Sequence, residues 1–324
     1  MSKTIVVTGG CGYIGSHVAR AFKLEDPDNR VHIIDRVQRN HTLKGIDGHL
    51  VADFASDEAL SAIINLQPDV IVHCAGTSLV GPSMTDPAEY YINNISKTIA
   101  MLHVLKDMDK KPAILFSSSA SVYGEPDHWP ITEDNDIKPI SPYGNTKAMT
   151  ELILKDYCRA YGINSICFRY FNAAGAEPVN FDLGQELGAT HIVARVIEAS
   201  LGKRLFMING DDFDTVDGTC VRDYIHVWDL AVAHLKGAEF LSKQDHNGAY
   251  VFNLGTCSGV SNKQIVDYVG GRYGLSTVKY GPRRPGDPDC LVADASLARD
   301  LLGWTPAFSD IETIIDTAYK WYSN

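Results

Sequence analysis

The segment from Thr4 to Asp35 limits the possible folds more than any other part of the chain. Thr4–Thr8 reads Thr-Ile-Val-Val-Thr and runs straight into Gly9-Gly10-Cys11-Gly12-Tyr13-Ile14-Gly15. A short β-branched apolar run suits a strand buried on both faces of a parallel sheet. The glycines at 9, 12 and 15 have a spacing in which one permits a tight turn, one lets backbone approach a pyrophosphate, and one lets a helix pack on the strand. A helix is predicted over 16–24, its N-terminal N–H groups facing the phosphates. A second apolar strand, 31–34, ends in Asp35. A carboxylate there accepts both ribose hydroxyls and repels a 2′-phosphate, which favours NAD over NADP. Arg36 argues the other way, since a guanidinium welcomes that phosphate. A lone glycine motif is often only a turn, but strand, turn, helix, strand and terminal Asp in order read as dinucleotide binding.

Further strands are predicted at 69–73, 113–116, 165–169 and 251–254, and a helix from Pro87 to about Lys106. Asp53 either holds an adenine amino group or is a solvated turn residue. Cys74-Ala75-Gly76 is small enough for the backbone to pass close to a cofactor. Asn93 and Asn94 are poor helix formers in mid-helix, so at least one is expected to bond something. The strand at 113–116 runs into Ser117-Ser118-Ser119-Ala120-Ser121-Val122-Tyr123-Gly124, at the end of a parallel strand where ligands sit. Then comes Ser141-Pro142-Tyr143-Gly144-Asn145-Thr146-Lys147. Pro142 suits a helix start, and Tyr143 and Lys147, four apart, share one helix face. An ammonium near a phenol lowers its pKa and makes Tyr143 a candidate general base.

After Phe171-Asn172 the character changes to glycine, proline and polar residues, which marks a second, smaller lobe. Helices are predicted at 191–201, 227–241 and 307–322, with another N-capped by Ser261 and running through Tyr268; a strand is predicted at 205–208. Residues 209–218 carry Asp211, Asp212, Asp214 and Asp217 but lack the closing Glu of a calcium loop, so an exposed hairpin is expected and no metal. Arg222 and Arg284 suit a diphosphate; Arg222 also suits an ion pair with Asp223 or Asp287. The class is α/β: a Rossmann-type doubly wound parallel sheet with a smaller C-terminal α/β substrate lobe. The expected division is 1–172, with a returning segment of about 223–255, against 173–222 and 256–324.

A formal net charge of -11 offers no basic field to nucleic acid or an anionic membrane. The seven cysteines are scattered, with no Cys-x-x-Cys, as expected of free thiols in a reducing cytoplasm. The first apolar run is too short for a signal peptide, and none approaches membrane-spanning length.

Together, the glycine turn, the 117–124 run and Tyr143-x-x-x-Lys147 resemble the extended short-chain dehydrogenase/reductase family, in its nucleotide-sugar epimerase branch. Arg169-Tyr170-Phe171-Asn172-Ala173-Ala174-Gly175, the stretch 217–227 and Arg283-Arg284-Pro285-Gly286-Asp287 extend the resemblance over essentially the whole chain. It implies reversible epimerisation at sugar C4 of UDP-glucose and UDP-galactose through a 4-keto sugar, with tightly bound NAD, in a homodimer. Ser119, Tyr143 and Lys147 are the implied catalytic set. The implied cofactor contacts are Gly9, Gly12, Tyr13, Ile14, Gly15, Asp35, Asp53 and Phe54, then Cys74, Ala75, Gly76 and Asn93, with Tyr143, Lys147 and Phe171. The implied substrate contacts are Ser119, Tyr143, Asn172, His191, Ile192, Arg222, Arg284, Asp287 and Leu291. Leu291 stands five places after Gly286, where the family's residue lines the sugar pocket. Two departures stand out: Ser78 replaces a frequent lysine, and His191 a frequent asparagine.

Other activities on this scaffold fit less well. A 4,6-dehydratase needs acid/base carboxyls directly after the residue matching Ser119, and here those positions are Ala120 and Ser121. A non-catalytic NAD-binding regulator has no use for a complete Ser119, Tyr143 and Lys147 set.

Overall fold

The computed structural model describes residues 2–180, 182–243, 245–275, 278–283 and 287–324. Six strands come first: β1 (Thr4–Thr8), β2 (Arg30–Asp35), β3 (Gly48–Val51), β4 (Val70–His73), β5 (Ala113–Ser119) and β6 (Ser165–Tyr170). The next three, β7 (Asn172–Ala174), β8 (Phe206–Asn209) and β9 (Val221–His226), lie outside the large sheet, and β10 (Ala249–Leu254) returns to it. The resulting seven strands run parallel in the order β10-β6-β5-β4-β1-β2-β3. The winding reverses between β4 and β1, and in such a sheet a crevice opens beyond the strand C-termini at the reversal.

The apolar run of β1 is explained by this position. Ile5 and Val7 pack on one side with Val18 and Phe22 of the Tyr13–Glu25 helix and Leu230 of the Val227–Leu241 helix. Val6 faces the other side, with Ile63, Met101 and Leu102. All three strand residues are fully buried, and each such side chain contributes about 1.5–3 kcal/mol.

The smaller lobe adds β11 (Gly259–Ser261), β12 (Val278–Gly281) and β13 (Cys290–Leu291). β9 lies between β11 and β13 and also pairs with β7, while β12 pairs with β8. The helices Ile192–Ser200, Asn262–Tyr273 and Ile311–Ser323 enclose this lobe's own core, including Val193, Ile197, Ile265, Val269 and Ile314. The buried Asp223 of β9 ties separate segments together. Its carboxylate accepts from Thr256 N and Oγ1, Cys257 N and Ala293 N.

Several local expectations are corrected. The first helix starts at Tyr13, three residues early, because the turn ends at Gly12. No hairpin forms over 209–218: β8 pairs with β12 in parallel, and Phe213 is buried beneath the Arg283 guanidinium. The last helix starts at Ile311, capped by Asp310, since Asp229 accepts the Ala307 and Phe308 N–H groups and holds that backbone outside the helix. An unexpected helix, Ser296–Leu302, sends Ala298 and Leu302, followed by Trp304, into the core of the large sheet. The helix expected over 87–106 is present, but as Pro87–Tyr91, a π-helical turn at Ile92–Ser96, and Lys97–Leu105.

Candidate active site

The crevice holds a cavity of about 350 Å³ lined by the glycine turn, the ends of β2, β4 and β5, and the Tyr143 and Lys147 side chains. Gly9 has φ +71°, and a Cβ there would stand 2.7 Å from Ala75 N, so the turn after β1 and the turn after β4 meet only because this residue is glycine. Gly12 caps the following helix with no side chain to occupy its first N–H groups. Those donors, with the positive end of the helix dipole, suit a diphosphate. At the end of β2, Asp35 accepts from Cys11 N at 2.9 Å and Val37 N at 3.1 Å, which fixes its carboxylate at the cavity edge. These features fit a dinucleotide.

Of the expected cofactor residues, Gly9, Gly12, Tyr13, Ile14, Gly15, Asp35, Asp53, Phe54, Cys74, Ala75, Gly76 and Asn93 all line this cavity; Phe171 does not. Phe171 is buried with Ala120, Val122 and Tyr123 beneath the 117–124 run. Asn94 is a structural neighbour of the site: its amide bonds both the N–H and C=O of Thr77 and the Thr146 hydroxyl. Lining residues that sequence reasoning missed include Lys97 and Gln185. Lys97 pairs with Asp53. Burial works against the Asp53 carboxylate, but the bonds from Lys97 and the Ala55 N–H outweigh it and hold its pKa below the ordinary range. Lys97 stands four residues after Asn93, a helical spacing that could have drawn attention to it. Gln185 comes from an irregular stretch with no comparable signal.

Tyr143 and Lys147 lie on the first turns of the Pro142–Tyr161 helix, which Ser141 caps by accepting from Gly144 N. Lys147 is buried, donates to Ser117 O at 2.7 Å, and lies 4.7 Å from the Phe116 ring centroid. Burial lowers its pKa to about 8, against the opposing pull of Cys74, Glu151 and Cys167. The expectation that Lys147 lowers the Tyr143 pKa is not met in the free chain. Desolvation pushes the half-buried phenol above its usual value and Tyr90 adds to the rise, while a hydrogen bond with Ser119 opposes it. The reason is geometric: the Lys147 ammonium is committed to Ser117 O and lies 5.6 Å from the Tyr143 ring centroid.

Among the described residues, the expected substrate contacts other than Tyr143 lie off this cavity. Asn172 donates to Asp223 O at 2.8 Å. Half-buried His191 caps the Ile192–Ser200 helix by position only; its Nε2 bonds Gln185 Oε1, and burial lowers its pKa to about 4, so it stays neutral. Ile192 packs on the small-lobe core. Of the two ion-pair partners considered for Arg222, the structure selects Asp287; Arg222 also donates to Val221 O. Leu291 packs on the cluster containing Phe171 and Ala120, the residue that follows Ser119 in sequence. Arg284 lies outside the described residues. Among the described residues no cluster suits a metal ion, and no helix is long and apolar enough to cross a membrane.

A doubly wound sheet with a dinucleotide turn and a Tyr-x-x-x-Lys pair in one crevice defines an NAD-dependent enzyme of the extended short-chain dehydrogenase/reductase class. Comparison with known proteins narrows this. The profile of the NAD dependent epimerase/dehydratase family matches residues 5–255, and the chain belongs to that family. A UDP-glucose 4-epimerase of Streptococcus mutans is 40% identical, over 99% of this chain and 97% of its own length. The crystal structure of UDP-glucose 4-epimerase from Brucella ovis in complex with NAD superposes with a TM-score of 0.92 at 36% identity, covering 98% of each chain. The UDP-Glc/GlcNAc 4-epimerase of Campylobacter jejuni gives 0.85 at 33% identity, covering 99% of each.

Proposed function

We propose that this enzyme interconverts UDP-glucose and UDP-galactose by reversible epimerisation at C4, with NAD held in the crevice. The observation that carries the reading is the convergence of the glycine turn, Asp35, Tyr143 and Lys147 on one cavity, with Ser119 at the end of the adjoining β5 strand. The helix N-terminus at Gly12 takes the diphosphate, Asp35 the adenine-side ribose, and Lys147 the nicotinamide ribose. When bound, NAD would take up the hydride from C4 and give it back, and its positive charge would favour the phenolate. Tyr143 takes the 4-hydroxyl proton and later returns it, and Ser119 holds the 4-oxygen by hydrogen bond. The lobe formed by 173–222 and 256–324 grips the UDP through His191, Ile192, Arg222, Arg284 and Asp287, with Asn172 at its border. Binding energy placed on that handle leaves the 4-keto sugar free to turn its other face. The direct test is incubation of the purified protein with UDP-galactose and no added NAD, with UDP-glucose read by a coupled dehydrogenase. No product in that assay, with or without NAD, sinks the proposal.

Ser78 lines the cavity where the family often has a lysine, and the nearby Lys97 is engaged by Asp53. The preparation is therefore expected to carry less than one NAD per chain and to gain activity on NAD addition, while Ser78→Lys raises occupancy. Nucleotide released on denaturation, measured by chromatography, decides it. Full occupancy of the wild type rules the idea out.

The enzyme acts as a homodimer in the cytoplasm. Ile92 (54% exposed) and Ile99 lie beside Met149 and Leu152 (64%) on helices that pack against one another, an apolar face suited to a second copy. The seven free thiols suit a reducing compartment. Light scattering should give the mass of two chains for the wild type and of one for Leu152→Glu; a monomeric wild type would end the dimer reading.

A further inference from the structure

Below the Tyr143 and Lys147 pair lies a buried charged cluster that the reaction scheme above does not use. Glu151 stands one helical turn after Lys147 on the Pro142–Tyr161 helix. Arg169 of β6 grips both its oxygens, with Nε at 3.1 Å from Oε1 and Nη2 at 2.7 Å from Oε2. The side chains are only 6% and 9% exposed. Glu151 Oε1 also accepts from the Ser118 hydroxyl. Ser118 and Arg169 are opposed in the β5–β6 register, so one carboxylate spans two strands and the catalytic helix. The outer face of Arg169 is satisfied by Tyr123 OH at 2.7 Å and Glu133 O at 3.2 Å, and Tyr123 OH donates to Asn253 Oδ1 at 2.7 Å.

An ion pair this deep is poor at stabilising a fold, because apolar side chains of similar volume often do as well or better. Its position suggests another use. Ser118 is flanked by Ser117, whose carbonyl receives the Lys147 ammonium, and by Ser119, the proposed partner of the sugar 4-oxygen, whose hydroxyl here donates to Ser121 Oγ at 3.0 Å. Holding Ser118 therefore sets the two strand positions that aim the catalytic pair. Glu151 is also the carboxylate among the groups that face Lys147. The others are Tyr143 on the same helix, His73 and Cys74 from the end of β4, and Cys167 from β6, with the Arg169 guanidinium behind Glu151.

We infer that Glu151 is a positioning residue: through Ser118 it fixes the end of β5 against the catalytic helix, and its carboxylate stands one helical turn from Lys147. The inference rests on the proposed roles of Tyr143 and Lys147. Glu151→Gln keeps the volume and removes the charge, leaving two buried cations without their shared partner. An opposite charge at this range moves a pKa by about 1–3 units, so the alkaline limb of the kcat profile is expected to move about one pH unit lower. At pH 8 kcat should fall about fivefold, with the Kd for UDP and the bound NAD content unchanged. Ser118→Ala keeps the charge and removes the strand tie; it should lower kcat several-fold with the alkaline limb in place.

The measurements are kcat from pH 6 to 10, UDP affinity by calorimetry, and NAD content, on the same preparations. A Glu151→Gln variant that only loses thermal stability, with its alkaline limb where the wild type has it, overturns the inference. If that variant does not fold, Ser118→Ala decides: wild-type kcat there overturns the inference, and a several-fold loss with unchanged UDP affinity supports it. Absence of turnover in the wild type itself would sink the epimerase reading, whereas a wild type that turns over beside indifferent variants sinks only the role of Glu151.

Discussion

Tyr143→Phe is expected to bind UDP like the wild type and to lose turnover by about 10²–10⁴-fold, the usual worth of a positioned general base. The substitution removes one oxygen from the cavity wall and leaves the ring, its edge contact with Tyr90 and the Lys147 bond to Ser117 O in place. The free chain holds this phenol protonated by desolvation. The Tyr143 phenol should therefore titrate at lower pH in NAD-loaded than in NAD-depleted enzyme, as read by ultraviolet difference spectra against Tyr143→Phe, since bound cofactor brings the missing positive charge. Steady-state kinetics beside UDP calorimetry separate chemistry from binding. A variant that keeps more than about a tenth of wild-type activity would show that Tyr143 is not the base.

Leu291→Tyr is expected to abolish turnover of the N-acetylated UDP-sugars and to spare UDP-glucose and UDP-galactose. Leu291 is half-buried on the cluster of Ala120, Tyr123 and Phe171, next to the serines that carry Ser119. Leucine is smaller than tyrosine, lacks its rigid ring and can change rotamer. A 2-acetamido group then fits with crowding of about 1–3 kcal/mol, which slows the reaction without forbidding it. Wild-type enzyme should thus convert UDP-N-acetylglucosamine detectably but more slowly than UDP-glucose. Equal damage to both substrate classes in Leu291→Tyr would mean that Leu291 supports the cluster and does not gate the sugar.

The parts of the site that could be read in advance are local in sequence. The β1 run, the three glycines and Asp35 fall within one strand-turn-helix-strand unit, and the glycines and Asp35 line the cavity. Tyr143 and Lys147 needed only a helical period. The rest depended on distant segments. The Tyr143 pKa follows from walls built by Tyr90 and Ser119, which no spacing reveals. Gln185 reaches the cavity from an irregular segment that Trp321 fastens through Gln185 O at 2.8 Å, 136 positions along the chain. The 296–302 helix is seven residues long, too short for a periodic pattern, and is held by burial of Ala298 and Leu302. The helix that carries Lys97 does not keep one period either, since a π turn interrupts it at Ile92–Ser96.

That break in period has an evolutionary reading. A π turn such as 92–96 accommodates about one residue more than the regular helix would. The surplus residue lets Asn94 reach Thr77 and Thr146 on one side while Asn93 and Lys97 still line the cavity on the other. Removing one residue here would relax the turn and rotate 87–91 by about 100° against 97–105. Tyr90 on one side and Met101, Leu102 and Leu105 on the other are already buried and could not both follow. This helix is thus fixed in length as well as in composition: a lineage could exchange its side chains one at a time, but a single-codon deletion would unhook the Thr77 turn at a stroke.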